Sequence, residues 1–197
     1  MSRFLFLLLP VLLFSWQEYK DIDEIKIYTK HDEKFKFVQF KAQMQMPYSL
    51  ELISDVIMNA QTYTSWLADC IQADSKDKHV YLLMQPPWPL NRRQVWAKIQ
   101  KKVYENRQII TLGSINRYTG ENKGVWFNYL YAEFILEKTK DHQTKVTLSL
   151  LGDPGGYPPS WLVNLMAWQI PYKSLKGLNT YISSTQENQP RPLCEVK

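Results

Sequence analysis

"GDPGGYPPSWLVNLMAWQIP", residues 152–171, decides how this chain is built. Gly155 and Gly156 permit backbone conformations closed to other residues. Pro158 and Pro159 cannot donate to a strand ladder, so a strand running into this segment stops here. Ser160 is placed to cap a helix that Trp161 begins. The helical pattern continues to about residue 184. Leu162, Leu165, Met166, Gln169 and Lys173 form one stripe; Trp161, Trp168, Tyr172 and Leu175 form its neighbour. Apolar residues thus wrap more than half the helix, which must be largely buried. Pro171 removes a backbone hydrogen bond inside it, and a kink is expected there.

What this helix covers is written upstream. "EIKIYTK" (24–30) and "KFKFVQFKAQM" (34–44) put apolar residues at alternate positions: Ile25 and Ile27, Phe35 and Phe37, then Val38, Phe40 and Ala42. That is strand periodicity, with a turn at His31 to Glu33. "PYSLELISDVIMNAQTYTSWL" (47–67) changes period: Pro47 opens a helix with Leu50, Ile53, Val56 and Ile57 on one face, ending near Tyr63. "HVYLLMQ", "RQVWAKIQKKV", "RQIITLGSI", "GVWFNYLYAEFILEK" and "TKVTLSLL" then read as strands, with turn chemistry at Asn106, "TGENKG" and "KDHQT". The order is strand pair, helix, antiparallel meander, long C-terminal helix. An antiparallel sheet must cover its apolar face, and the last helix is the available cover. The fold class is α+β.

The 197 residues suffice for one sizeable core. A formal charge of +5 suits solubility or visits to an anionic surface. The dense basic stretch at 98–102 alternates like a solvated strand face, so no nucleic-acid partner is expected. Residues 1–16 combine Arg3 with an apolar run at 4–14 that is too short to span a bilayer comfortably. They read as a secretory signal, giving a secreted or periplasmic protein, or as an uncleaved anchor. The folded domain is placed at 17–186 and a polar tail at 187–197. Cys70 and Cys194 match no metal or redox spacing. His31, His79 and His142 fall in turns or at strand ends and form no constellation. Glu133 and Glu137 fall opposite the apolar face of their strand, and Asp153 before the glycine turn is suited to bonding backbone. No catalytic group, metal or cofactor is therefore expected.

Parity along the strands gives an inward surface. It comprises Val80, Leu82 and Met84; Arg93, Val95 and Ala97; Trp126, Asn128 and Leu130; Val146 and Leu148; and, from the helix, Leu162, Leu165 and Met166. Gln94, Lys98 and Gln100 fall on the opposite, solvated face of their strand. Arg93 is the anomaly. A buried arginine needs an internal carboxylate or an anionic ligand, and its planar fork suits phosphate or carboxylate.

"PPWPLNRRQVWAKI" (86–99) and "GDPGGYPPSWLVN" (152–164) resemble the two signature segments of START domains, the lipid-transfer domains related to the steroidogenic acute regulatory protein. "YTSWLADC" (63–70), with Trp66, is similar to a third, weaker segment. The resemblance covers about residues 20–185. It implies a helix-grip fold, in which a curved antiparallel sheet wraps a long C-terminal helix around a tunnel holding one lipid. It implies no cofactor, a monomer, and transient contact with a membrane surface. The nearest pattern is the phosphatidylcholine-carrier branch, in which the arginine matching Arg93 contacts lipid phosphate. Three departures count against carrying that ligand over: Gln94 stands where an acid is common, Trp126 where a base is common, and Ser149 and Leu150 where the choline carriers have tyrosines. The expectation is a carrier or sensor of a phospholipid, sterol or fatty-acyl ligand. A cavity-bearing enzyme on the same fold, cyclase- or hydratase-like, is the alternative. Exchange of ligand would need the first half of the helix to shift, with Gly155 and Gly156 as the hinge.

Overall fold

A computed structural model describes residues 15–31, 37–115, 122–140 and 142–187. Among them runs one highly antiparallel sheet of ten strands. The strands are β1 (Gln17–Ile22), β2 (Ile25–Lys30), β3 (Gln39–Met46), β4 (Cys70–Lys76), β5 (His79–Met84), β6 (Arg93–Tyr104), β7 (Arg107–Ser114), β8 (Val125–Trp126), β9 (Tyr129–Lys140) and β10 (Gln143–Asp153). Their order across the sheet is β1-β2-β3-β10-β9-β7-β6-β5-β4, with β8 attached to β6. The N-terminal hairpins therefore pair with the last strand, through β3 on β10. Between β3 and β4 stand α1 (Leu50–Met58), a 3₁₀ turn (Ala60–Thr62) and α2 (Tyr63–Trp66); α3 (Ser160–Ala167) and α4 (Gln169–Glu187) end the domain.

The helices bury one face of the sheet. Leu175, Leu178 and Ile182 of α4 and Ile53 and Ile57 of α1 are fully enclosed with Ile25, Ile27, Ala42, Val80, Val95, Ala97, Leu136 and Val146. Strand alternation supplies the rest, because every second residue of β2, β3, β9 and β10 turns to that face. Ser49 caps α1, its Oγ accepting from the Leu52 N–H. The Ala68 N–H donates to Ser174 Oγ of α4. A side chain at Gly177 would meet the Trp66 carbonyl oxygen at 2.4 Å, so glycine is what lets α2 and α4 touch backbone to backbone.

Several expectations need correction. The strand pattern begins earlier than the alternation at Ile25, since β1 is polar and was not legible as a strand. The first helical stretch is broken at Asn59, which ends α1 and whose side chain accepts from the Gln61 N–H to start the 3₁₀ turn. Ser160 is the first helical residue of α3 rather than its cap; Pro159 precedes it, and no side chain caps this end. The C-terminal helix is two helices, parted at Trp168 instead of kinked at Pro171. A proline ring clashes with the carbonyl four residues back, which is Ala167, the last residue of α3. The break thus precedes the proline that causes it. The turn around His31 to Glu33 and Phe35 lie, apart from His31, outside the described residues, as do residues 1–14, most of the tail from 187, and Cys194.

Candidate functional site

Between the concave face of the sheet and α3 lies a cavity of about 160 Å³. Its walls are Phe40, Leu112, Ala132, Phe134 and Leu148 from the strands, Tyr63, Trp66 and Leu67 from α2, and Val163, Met166, Ala167 and Ile170 from α3 and the start of α4. Pro86, Pro87 and Leu90, from the loop between β5 and β6, and Pro154, from the turn after β10, complete it near the mouth. The aromatic wall is fixed. Tyr63 donates its hydroxyl to the Ile57 carbonyl at 2.6 Å, and Trp66 donates Nε1 to Thr62 Oγ1 at 2.9 Å. The Trp66 ring then stands edge-on to Phe134, 6.1 Å between centroids.

Two charged side chains line this apolar space, Asp69 and Arg93. Arg93 is 5 % exposed. Its Nη1 donates to the carbonyls of Asn91 at 2.6 Å and Arg92 at 3.4 Å. Its Nε is buried and has no partner. Among the described residues no carboxylate pairs with it, and burial alone pulls its pKa below the usual guanidinium value. Asp69 sits in the left-handed region, at φ 58°, just after α2. Burial raises its carboxyl pKa, partly offset by Lys173. Cys70, next in sequence, is a buried free thiol pushed up to about 11 by burial.

β8 fills a gap in the sheet beside Arg93. β7 ends at Ser114, opposite Ala97, and leaves the first residues of β6 without a partner on that side. Val125 and Trp126 fill the gap in parallel, beside Arg93 and Gln94. Gln94 is consequently not on a solvated face. It is fully buried, accepting from Tyr81 Oη at 2.9 Å and donating to the Gly124 carbonyl at 2.6 Å. The glycine turn then packs on β8: a Cβ at Gly155 would lie 2.2 Å from the Trp126 carbonyl oxygen. Gly155 and Gly156 have φ of 67° and 68°, and Asp153 Oδ1 accepts from the Gly155 N–H.

The fold is the START helix grip. A crystal structure of a STAR-related lipid transfer protein from Xanthomonas axonopodis superposes with a TM-score of 0.77 at 21% identity, covering 85% of this chain and 98% of that one. Human STARD10 superposes at 0.77 with 17% identity, over 87% of this chain and 74% of that one. Human StAR-related lipid transfer protein 5 superposes at 0.76 with 11% identity, over 87% and 88%. In sequence, the chain is 25% identical over 173 residues to an uncharacterized Pseudomonas aeruginosa protein, spanning 84% of this chain and 86% of that one. No family model matches the chain.

Within the START fold the expected inward residues fall into three groups. Leu82, Met84, Arg93, Leu130, Leu148 and Met166 lie on the cavity lining. Val80, Val95, Ala97 and Val146 face the same way but are sealed in the core with α4, away from the cavity. Trp126, Asn128, Leu162 and Leu165 are off the lining. The strand through "GVWFNYL" is interrupted after Trp126, so Phe127 takes the inward place, and exposed Asn128 bonds Asp153 instead. On α3 the buried stripe is one residue out of phase with the expected one. Val163, Met166 and Ala167 face inward, leaving Leu165 58 % exposed. Tyr63, Trp66 and Asp69 lie in α2 or just after it, at and beyond the point where the helical pattern of the sequence ends; the family-like segment "YTSWLADC" was the signal that pointed there.

Proposed function

We propose that the protein holds one lipid with an anionic head group in this cavity, for transfer or sensing at a membrane. The observation that carries the reading is Arg93, a buried guanidinium with an unpartnered Nε on a mostly apolar wall that it shares with Asp69. Leaving a buried donor unmet is costly, and a charged group doubly so. A phosphate or carboxylate accepting from the free edge of the fork would offset that cost with a charge-assisted bond. The acyl portion would lie against Phe40, Leu112, Phe134 and Leu148, each buried methylene contributing about 0.8 kcal/mol.

The cavity, at about 160 Å³, is smaller than the roughly 300–1,000 Å³ usual for small-molecule sites. Entry of a lipid is therefore accompanied by outward movement of a wall, and we assign that movement to α3, in which Val163 alone is buried. Beside it, Trp88 is 90 %, Tyr157 97 % and Trp161 68 % exposed. Their parent segments all border the cavity, which gives the mouth an aromatic rim suited to the bilayer interface. Residues 1–16, as a signal or an anchor, would place this exchange outside the cytoplasm.

Native mass spectrometry of the protein purified without detergent tests the reading. One copurified lipid carrying phosphate or carboxylate per chain is expected. Empty protein that also fails to take up phosphatidylglycerol or fatty acid from vesicles would refute it. Uptake without transfer to acceptor vesicles would make the protein a sensor.

A further inference from the structure

The polar hairpin at the N-terminal edge of the sheet makes an unusual set of contacts. β1 and β2 pair with a register shift between Glu18 and Lys20, so Tyr19 is an extra residue. Such a bulge re-aims side chains. Here it brings two consecutive residues onto one target. Lys20 Nζ lies 3.8 Å from the centroid of the Trp168 ring, and the Tyr19 ring centroid lies 6.2 Å from it. Trp168 is the residue at which α3 ends and α4 begins. The turn of the same hairpin, Asp23 and Glu24, has both residues at positive φ. Asp23 Oδ2 accepts from Tyr172 Oη at 2.7 Å and from Lys176 Nζ at 2.6 Å, one helical turn apart on α4.

These contacts separate an anchor from a grip. The anchor is Asp23 on α4, whose Leu175, Leu178 and Ile182 are locked in the core. The grip is Tyr19 and Lys20 on the indole at the helix break. Beyond the break, α3 has Val163 as its one buried residue, and Asn164 Oδ1 accepts from the Val38 N–H at 3.1 Å. An α3 that swings out must turn at Trp168 and take the indole away from Lys20. We infer that the β1–β2 hairpin is a clamp on the α3/α4 break, and that its release from Trp168 sets how fast the cavity opens. The inference rests on the cavity exchanging a lipid only for its functional meaning; the clamp itself is a statement about α3.

The test uses the full chain and the variants Lys20→Met and Asp23→Asn. Methionine keeps the apolar stem and removes the charge over the ring; asparagine tolerates the left-handed turn. Hydrogen exchange of the α3 amides should quicken by roughly two- to five-fold in Lys20→Met, the range set by an exposed cation–π contact, with α4 unchanged. Uptake and release of a fluorescent phosphatidylglycerol from vesicles should quicken by the same factor, leaving Kd unchanged, because opening multiplies both rates. Asp23→Asn should act in the same direction. Unchanged α3 exchange in both variants would overturn the clamp even if lipid binds. Faster α3 exchange in a protein that takes up no lipid would keep the clamp and overturn the lipid reading instead. Equal quickening of α3 and α4 would also overturn the clamp, since it would mean general loosening.

Discussion

Arg93 was legible from strand parity alone, because it shares a phase with Val95, Ala97 and Ile99, and all four are buried. That no carboxylate among the described residues pairs with it was not legible, since partners distant in sequence leave no periodic signal. The proposal gives Arg93→Met a definite outcome. Methionine fills the stem and removes the fork, so retention of an anionic lipid should fall by at least ten-fold while the fold persists, as lipid titration and circular dichroism would register. A variant that unfolds would instead make the guanidinium a structural group. Asp69 gives a prediction of opposite sign. Its carboxyl holds its proton more tightly in the folded protein than in the unfolded chain, because burial disfavours the anion. Between the ordinary aspartate range and the raised folded value the native state binds more protons, so this group makes stability fall as pH rises through that window. Asp69→Asn should therefore raise Tm at neutral pH, with the gain vanishing as pH drops below the ordinary aspartate range. Asparagine also accepts the positive φ at this position. With an anionic lipid in the cavity, the same variant should bind it more tightly.

Among the elements, the strands were the readable part and the helix faces were not. Alternation at Ile25 and Ile27, and at Val80 and Leu82, survives because a ladder enforces a period of two. It failed at "GVWFNYL", where the chain leaves one ladder and joins another between Trp126 and Tyr129. Apolar residues wrap more than half of α3, so the sequence gives little phase to read: Trp161 and Leu165 are as apolar as Val163 and Met166 but face outward. Gly177, inside α4, is the contact between α4 and α2. An added Cβ would stand 2.4 Å from the Trp66 carbonyl oxygen, which is backbone and cannot step aside. Gly177→Ala should therefore cost about 1–3 kcal/mol in chemical denaturation, despite alanine's higher helix propensity. A neutral result would mean that α2 and α4 slide freely past each other. Because Trp66 also forms the cavity wall, the variant should loosen lipid retention as well.

On the scale of the molecule, the two signature-like segments were enough to imply the helix grip, whereas the pairing of β3 with β10 was not, because nothing local specifies a partner about 100 residues away. α4 and α1 send side chains into the core, whereas the loop of Trp88, the turn of Tyr157 and the outer face of α3 with Trp161 and Leu165 are exposed, and all three segments border the cavity. Large apolar side chains exposed together signal a surface meant to be covered. The membrane contact proposed above would use these groups, which are chiefly aromatic and sit among prolines, while Arg92 and Lys123 line a shallow cleft beside β8. Burying about half of one indole in the interface contributes roughly 2–3 kcal/mol. Each basic side chain near an anionic surface adds about 1 kcal/mol. Trp88→Ala combined with Trp161→Ala should thus weaken binding to phosphatidylglycerol vesicles by at least ten-fold in a sedimentation assay. Lipid already in the cavity should stay, since neither tryptophan lines it. Raising salt should weaken binding of the parent and variant alike, as screening acts on the basic groups and not on the indoles. Equal vesicle binding by parent and double variant would remove the aromatic rim from the docking surface and move the membrane contact elsewhere on the molecule.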